Sequence, residues 1–159
     1  LKEEGFLPSW VAGHSLGEYV ALIASGTIKF SDALLLVRKR AEHMAAVSVN
    51  GGMAAILNIP VTQLEGMIKE LQSDGIIELA NYNSPAQIVV SGEKKLVDSL
   101  VIQINQTGKG KAIPLEVQGA FHSSLMKPAA KEFRMDLKRT SFLPIEIPII
   151  SNSRRSFIP

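Results

Sequence analysis

Apolar and polar positions follow three successive rhythms along the 159 residues. In the first, up to about residue 50, residues 2–6 read as the end of a helix, residues 8–12 as a short buried strand, and residues 16–25 as a helix stopped by Gly26. A turn over 26–30 leads to a second helix that runs to about Val47, with Ser31 or Asp32 as its cap. On that helix, at about 100° per residue, Ala33, Val37, Ala41 and Met44 share one face. Arg40 falls among them, while Arg38, Lys39 and Glu42 point elsewhere.

Asn50-Gly51-Gly52 breaks the chain and opens the second rhythm: an apolar run over 53–59, a helix over 61–72, strands over 76–81 and 87–91, a helix over 93–107 and a strand over 111–117. The turn Asn83-Ser84-Pro85 joins the central strands, and Gly108-Lys109-Gly110 is a basic, flexible closing loop. The order is βαββαβ, the ferredoxin-like pattern of a small sheet with two helices on one face. By itself the unit binds nothing obvious and reads as a lid or wall against the main domain. From Gln118 the third rhythm returns to that larger domain. Ser123 and Ser124 are candidate caps of a helix to Thr140, with Met126, Ala129, Ala130 and Phe133 at its apolar spacing, and residues 145–151 read as a buried parallel strand.

The fold class is therefore α/β: a parallel-sheet core from residues 1–50 and 118–159, interrupted by a ferredoxin-like subdomain at 51–117. A parallel sheet covered on both faces needs more strands than the outer segments supply. The chain also opens at Leu1 without a methionine and stops at Pro159 after a strand-like run, so the expected picture is a domain truncated at both ends.

Composition narrows the function by exclusion. A 46% hydrophobic content and mean hydropathy of +0.16 support a real core, and a net charge of +2 with scattered Lys and Arg argues against nucleic-acid or membrane-surface binding. The absence of cysteine removes disulfides, thiolate zinc sites and a cysteine nucleophile. With no bilayer-length apolar run and no signal peptide, a soluble, cytoplasmic protein is expected.

The candidate chemistry starts at Gly13-His14-Ser15-Leu16-Gly17, a G-x-S-x-G match lying between the expected strand and helix, as a nucleophile elbow requires. Glycines at 13 and 17 leave room around a serine on a sharp turn, and N–H groups in the first helical turn can hold an anionic intermediate. The plain alternative is a chance match in a loop. Arg40 on an apolar face needs a carboxylate, from Glu18 within the chain or from a ligand. His122 enters a helix, where a histidine is ordinarily a cap or packing residue. As a base for Ser15 it has few rivals, since His14 is too close in sequence to turn back and His43 reads as exposed.

Four ordered stretches carry a resemblance: Gly-His-Ser-Leu-Gly-Glu-Tyr at 13–19, Arg40 twenty-five residues after the serine, Asn-Tyr-Asn-Ser-Pro-Ala-Gln-Ile-Val-Val-Ser-Gly at 81–92, and Gly-Ala-Phe-His-Ser-Ser-Leu-Met-Lys-Pro-Ala at 119–129. Together they resemble the malonyl-CoA:acyl carrier protein transacylase family, which includes polyketide synthase acyltransferase domains. The resemblance implies a hydrolase-like α/β core with the ferredoxin-like insertion and an active site in the cleft between them. It implies Ser15 as acylated nucleophile, His122 as base and later acid, Arg40 as partner of the malonyl carboxylate, and the Leu16 N–H as an oxyanion donor. Phe121 and His14 also fall at substrate-binding positions, and Phe121 before His122 is the form of malonyl-selecting members. Malonyl-CoA is a substrate, no cofactor or metal is called for, and the partners are an acyl carrier protein and, in a synthase, other domains. The family's Pro-Gly-Gln-Gly segment and the residue whose carbonyl orients the histidine are expected to lie outside these residues. Two rival readings remain: a serine esterase or thioesterase, with no use for a buried arginine, and a non-catalytic remnant domain.

Overall fold

The computed structural model describes residues 4–47, 50–117, 119–154 and 156–158. The elements in chain order are β1 (Val11–Ala12), α1 (Gly17–Ala24), α2 (Phe30–Ala45), β2 (Gly51–Leu57), α3 (Val61–Leu71), β3 (Ile77–Ser84), β4 (Gln87–Glu93), α4 (Lys94–Thr107), β5 (Lys111–Pro114), a 3-10 turn (Ser124–Met126), α5 (Lys127–Arg139), β6 (Ile149–Ser151) and β7 (Ser156–Phe157). This is an α/β chain with two compact units, Leu1–Glu42 with Phe133–Pro159, and His43–Glu132. The unit boundaries fall inside α2 and α5, outside the 50/51 and 117/118 boundaries read from the sequence. The reason is that flanking residues are tied to the middle sheet: Asn50 O accepts the Lys94 N–H at 2.9 Å, and Ser124 N–H donates to Glu78. Gln118 and residues 2–3 of the expected first helix lie outside the described residues, and residues 4–5 form a turn.

In the first unit the sheet order is β1-β6-β7. β1 and β6 are parallel, with Val11 opposite Ile149 and Ala12 opposite Ile150, and β7 returns antiparallel. Both parallel strands are shorter than the sequence implies. Trp10 is 54% exposed ahead of β1. On the other side, the Leu143 and Glu146 N–H groups are bound to Thr27 O and Ser25 O at 2.8 and 2.9 Å, so pairing begins only at Ile149. Gly26, at φ +75°, ends α1 as expected, and a Cβ there would meet the Glu146 carboxyl.

The second helix starts at Phe30, with Lys29 O accepting the Ala33 N–H at 3.0 Å, so Ser31 and Asp32 lie in its first turn rather than capping it. Its inward face is also turned from the expected one: Ala33 and Leu36 are buried and Ala41 is exposed. The spacing Ala33, Leu36, Val37, Arg40, Met44 follows the helical i, i+3, i+4 pattern, which keeps Arg40 on the inner side. Ile28, Ala33 and Leu36 form the buried cluster of this unit, against partly buried Tyr19, Leu22, Ile23, Phe133 and Leu137.

The second unit has antiparallel strands in the order β3-β4-β2-β5. Alternate residues of the strands, among them Ala54, Ile56, Ile88 and Val90, join Leu64 and Ile68 of α3 and Leu100 and Ile104 of α4 in one buried cluster. Gly51 and Gly52 belong to β2 instead of breaking the chain, because Gly51 lets the backbone of Ala120 lie directly against the strand where a Cβ would overlap it. The turn between β3 and β4 is Pro85-Ala86, with Asn83 and Ser84 still in the strand and Ser84 Oγ accepting the Ala86 N–H at 3.2 Å. On the sheet face away from the helices, Glu78 and Met53 flank Ser91, a fully buried serine whose hydroxyl has no hydrogen-bond partner. Among the described residues no helix is long and apolar enough to cross a membrane.

Candidate active site

Ser15 sits between β1 and α1 with φ +53°, in the left-handed region. A non-glycine residue there costs roughly 1–3 kcal/mol and is held only by its surroundings. Gly13 supplies the room, since a Cβ on it would overlap the Gly17 carbonyl. A Cβ on Gly17 meets nothing within 4 Å, so the steric need expected at both glycines exists at Gly13 alone. The N–H groups of Gly17, Glu18 and Tyr19 donate to His14 O, Ser15 O and Leu16 O at 2.9, 3.2 and 3.2 Å. The Leu16 N–H takes no part in these bonds, and at the mouth of a helix it can donate to an anion formed beside Ser15.

Arg40 Nη2 donates to Ser15 Oγ at 3.0 Å. Glu18, the internal carboxylate considered for Arg40, instead accepts the Asn152 N–H at 3.2 Å, and the ion pairs seen on α2, Arg38–Glu42 and Lys39–Glu42, do not include Arg40. A guanidinium held on the serine hydroxyl can meet a negative group carried on that oxygen with two parallel N–H bonds. Burial raises the Tyr19 hydroxyl above the ordinary tyrosine value, opposed by the Arg40 charge and reinforced by Glu18. Beyond the carboxyl ends of β1 and β6, a depression of about 450 Å³ is lined by Ala12, Gly13, His14, Ile150, Ser151 and Asn152, the edge where α/β sheets ordinarily take ligands. His14 is exposed on it.

Phe121 and His122 belong to the second unit. His122 is exposed with φ +62°, Phe121 is half-buried and Ala120 fully buried. Neither serine caps a helix through its side chain. Ser123 Oγ donates back to Ala120 O at 2.6 Å, and the Ser124 N–H donates to Glu78 Oε2 at 2.6 Å. Ala129 is buried as expected in α5, whereas Ala130 is exposed. His43 is half-buried, not exposed, and lines a depression of about 570 Å³ with Ala46, Val47 and residues of the α5 start. Sequence reasoning missed Glu78, which lies forty-six positions from its partner and has no local signature. Among the described residues no group of three or more His, Asp or Glu side chains could hold a metal ion.

The family model described as acyl transferase domain matches residues 1–156. The malonyl CoA-acyl carrier protein transacylase of Bacillus subtilis (strain 168) is 44% identical over 154 residues, covering 95% of this chain and 49% of the relative. The crystal structure of malonyl CoA-acyl carrier protein transacylase from Clostridium perfringens superposes with a TM-score of 0.93 at 37% identity, over 100% of this chain and 51% of that one. A type II polyketide synthase acyl-carrier protein in complex with its malonyl-transacylase matches with a TM-score of 0.90 at 35% identity, over 95% of this chain and 50% of that one. The chain thus spans about half the length of the curated relatives it matches.

Proposed function

This chain belongs to the acyl transferase domain family, and we propose that the whole protein moves a malonyl group from coenzyme A to the phosphopantetheine thiol of an acyl carrier protein. The observation that carries the reading is the Arg40 guanidinium donating to the hydroxyl of a left-handed serine at an elbow. The relatives, malonyl CoA-acyl carrier protein transacylases and a malonyl-transacylase in complex with its carrier protein, support the same substrates and partner. The fold in this reading is a partial hydrolase-like core, residues 1–50 and 118–159, around a ferredoxin-like subdomain at 51–117. Its setting is the cytoplasm, and its pathway is fatty acid or polyketide synthesis.

The chemistry is a two-step exchange. His122 takes the Ser15 proton as Ser15 Oγ attacks the malonyl thioester carbon, and the Leu16 N–H donates to the resulting oxyanion. The carbon–sulfur bond then breaks, the coenzyme A sulfur receives the proton from His122, and malonyl-serine remains. The carrier thiol gives its proton to His122, attacks the ester, and leaves as malonyl thioester while Ser15 recovers its proton. Arg40 binds the free malonyl carboxylate throughout, and Phe121 and His14 border the acyl group. No cofactor enters this scheme. A serine esterase would share the elbow and have no use for the guanidinium.

The test is the acyl donor. In the full-length protein, malonyl-CoA should label Ser15, as read by mass spectrometry. Arg40→Ala should lower kcat/KM for malonyl-CoA by about thirty- to several-thousandfold, because losing one side of a bidentate charged pair costs roughly 2 to 5 kcal/mol. Acetyl-CoA, which lacks the carboxylate, should lose far less. Equal losses for both donors, or a label elsewhere than Ser15, would overturn the reading.

A further inference from the structure

The segment carrying His122 is anchored on both sides. Upstream, Ala120 is fully buried and lies against Gly51 of β2. The Ser123 hydroxyl and N–H both return to Ala120 O, at 2.6 and 3.3 Å, and the Met126 N–H reaches Ser123 O at 3.0 Å. These bonds are internal to the segment and shape its turn without fixing it to the sheet. Downstream, the Ser124 N–H is bound by a side chain from another element, Glu78 of β3, whose Oε2 accepts it at 2.6 Å. His122 lies two residues before that bond, in a left-handed backbone at φ +62° that isolated chains populate sparsely.

From this geometry we propose that Glu78 is a positioning residue: its carboxylate pins the turn after His122 to the sheet and so sets where the imidazole stands. The proposal rests on the reading of His122 as the base. A carboxylate–amide bond of this length is charge-assisted, and it constrains backbone, not the imidazole itself. Its effect should therefore fall on the reaction rate more than on substrate binding, since misplacing a reacting group by about 1 Å can cost on the order of a hundredfold.

The test uses the full-length protein and single-turnover acylation of Ser15 by malonyl-CoA. Glu78→Ala should slow acylation roughly ten- to a hundredfold while KM for malonyl-CoA stays within about twofold. Glu78→Gln, which keeps an oxygen acceptor of the same reach, should recover most of the rate. Ser124→Pro removes the donor itself and is compatible with Ser123, which already has the extended backbone at φ −104° and ψ 170° that precedes proline. It should reproduce the loss, and the double variant should be no slower than either single one. Ser91→Ala, which removes a nearby hydroxyl that makes no hydrogen bond, should leave the rate unchanged. A full rate in Glu78→Ala or Ser124→Pro, multiplicative losses in the double variant, or equal damage in Glu78→Gln would overturn the proposal. His122→Ala separates the two claims. If it acylates at the wild-type rate the base assignment fails, whereas if it is slow while Glu78→Ala is fast only the positioning role fails.

Discussion

The two units of the chain bury their apolar residues to very different degrees. Among the described residues, the unit His43–Glu132 closes thirteen buried residues between a four-stranded sheet and two helices. In Leu1–Glu42 with Phe133–Pro159, the buried cluster is Ile28, Ala33 and Leu36, while Phe6, Leu7, Trp10, Phe30 and Leu35 are all more than half exposed. Side chains that pack on several layers at once create stability through mutual exclusion of water, and that condition is met in one unit and barely in the other. The elbow with Ser15 and Arg40 is built on the less closed unit, on the end of a two-residue strand.

The largest effect that can break this comparison is in the cores. Leu100→Ala, at a fully buried position of α4, should cost toward the upper end of about 2–5 kcal/mol, because rigid neighbours leave the cavity unfilled. Leu36→Ala should cost toward the lower end, since its partly buried neighbours can move in. Denaturant midpoints measure both, and a larger loss at Leu36 would reverse the contrast. A smaller effect sharpens the elbow. Gly13→Ala must push apart the Gly17 carbonyl and should destabilise by about 1–3 kcal/mol, whereas Gly17→Ala adds a methyl to open space in a helix and should be neutral or gain up to about 1 kcal/mol. Equal melting temperatures for the pair would refute the assignment of crowding to Gly13.

The smallest effect concerns Tyr19. Its hydroxyl value is raised in the folded state by burial, so its contribution to stability is complete below the ordinary value near 10 and is lost as pH rises through the folded value. Stability of Tyr19→Phe should therefore fall less between about pH 9 and 11 than that of the parent protein. Parallel losses across that range would exclude the burial effect.

What is legible in the sequence is what repeats at short range. The periods of α3 and α4, the βαββαβ order and the Gly26 stop follow from residues within a few positions of one another, and all appear in the fold. Arg40 can be placed on an inner face because helical spacing carries that information, although Leu36 rather than Ala41 leads that face. The caps expected at Ser31, Asp32, Ser123 and Ser124 do not form, because a hydroxyl or carboxylate near a helix start has several competing acceptors and donors. Ser123 finds its partner behind it, and the Ser124 amide is taken by a side chain forty-six positions away. The same distance hides Glu78, and the close approach of Ala120 disguises a strand start as a break at Gly51. Of the proposed site, helical spacing turns Arg40 inward and the resemblance sets it beside Ser15, but the direct bond from its guanidinium to the Ser15 hydroxyl, in place of a carboxylate within the chain, comes from the structure alone.

Three described non-glycine residues have positive φ: Ser15, Asn58 and His122. Asparagine and histidine visit that region more readily than most residues, but serine has no such preference, and glycine would take the φ of +53° freely. Position 15 is thus one where selection for stability alone and selection for a hydroxyl point to different amino acids. A laboratory lineage selected under heat alone would be drawn toward the substitution Ser15→Gly, exchanging the hydroxyl that Arg40 holds for an unstrained backbone.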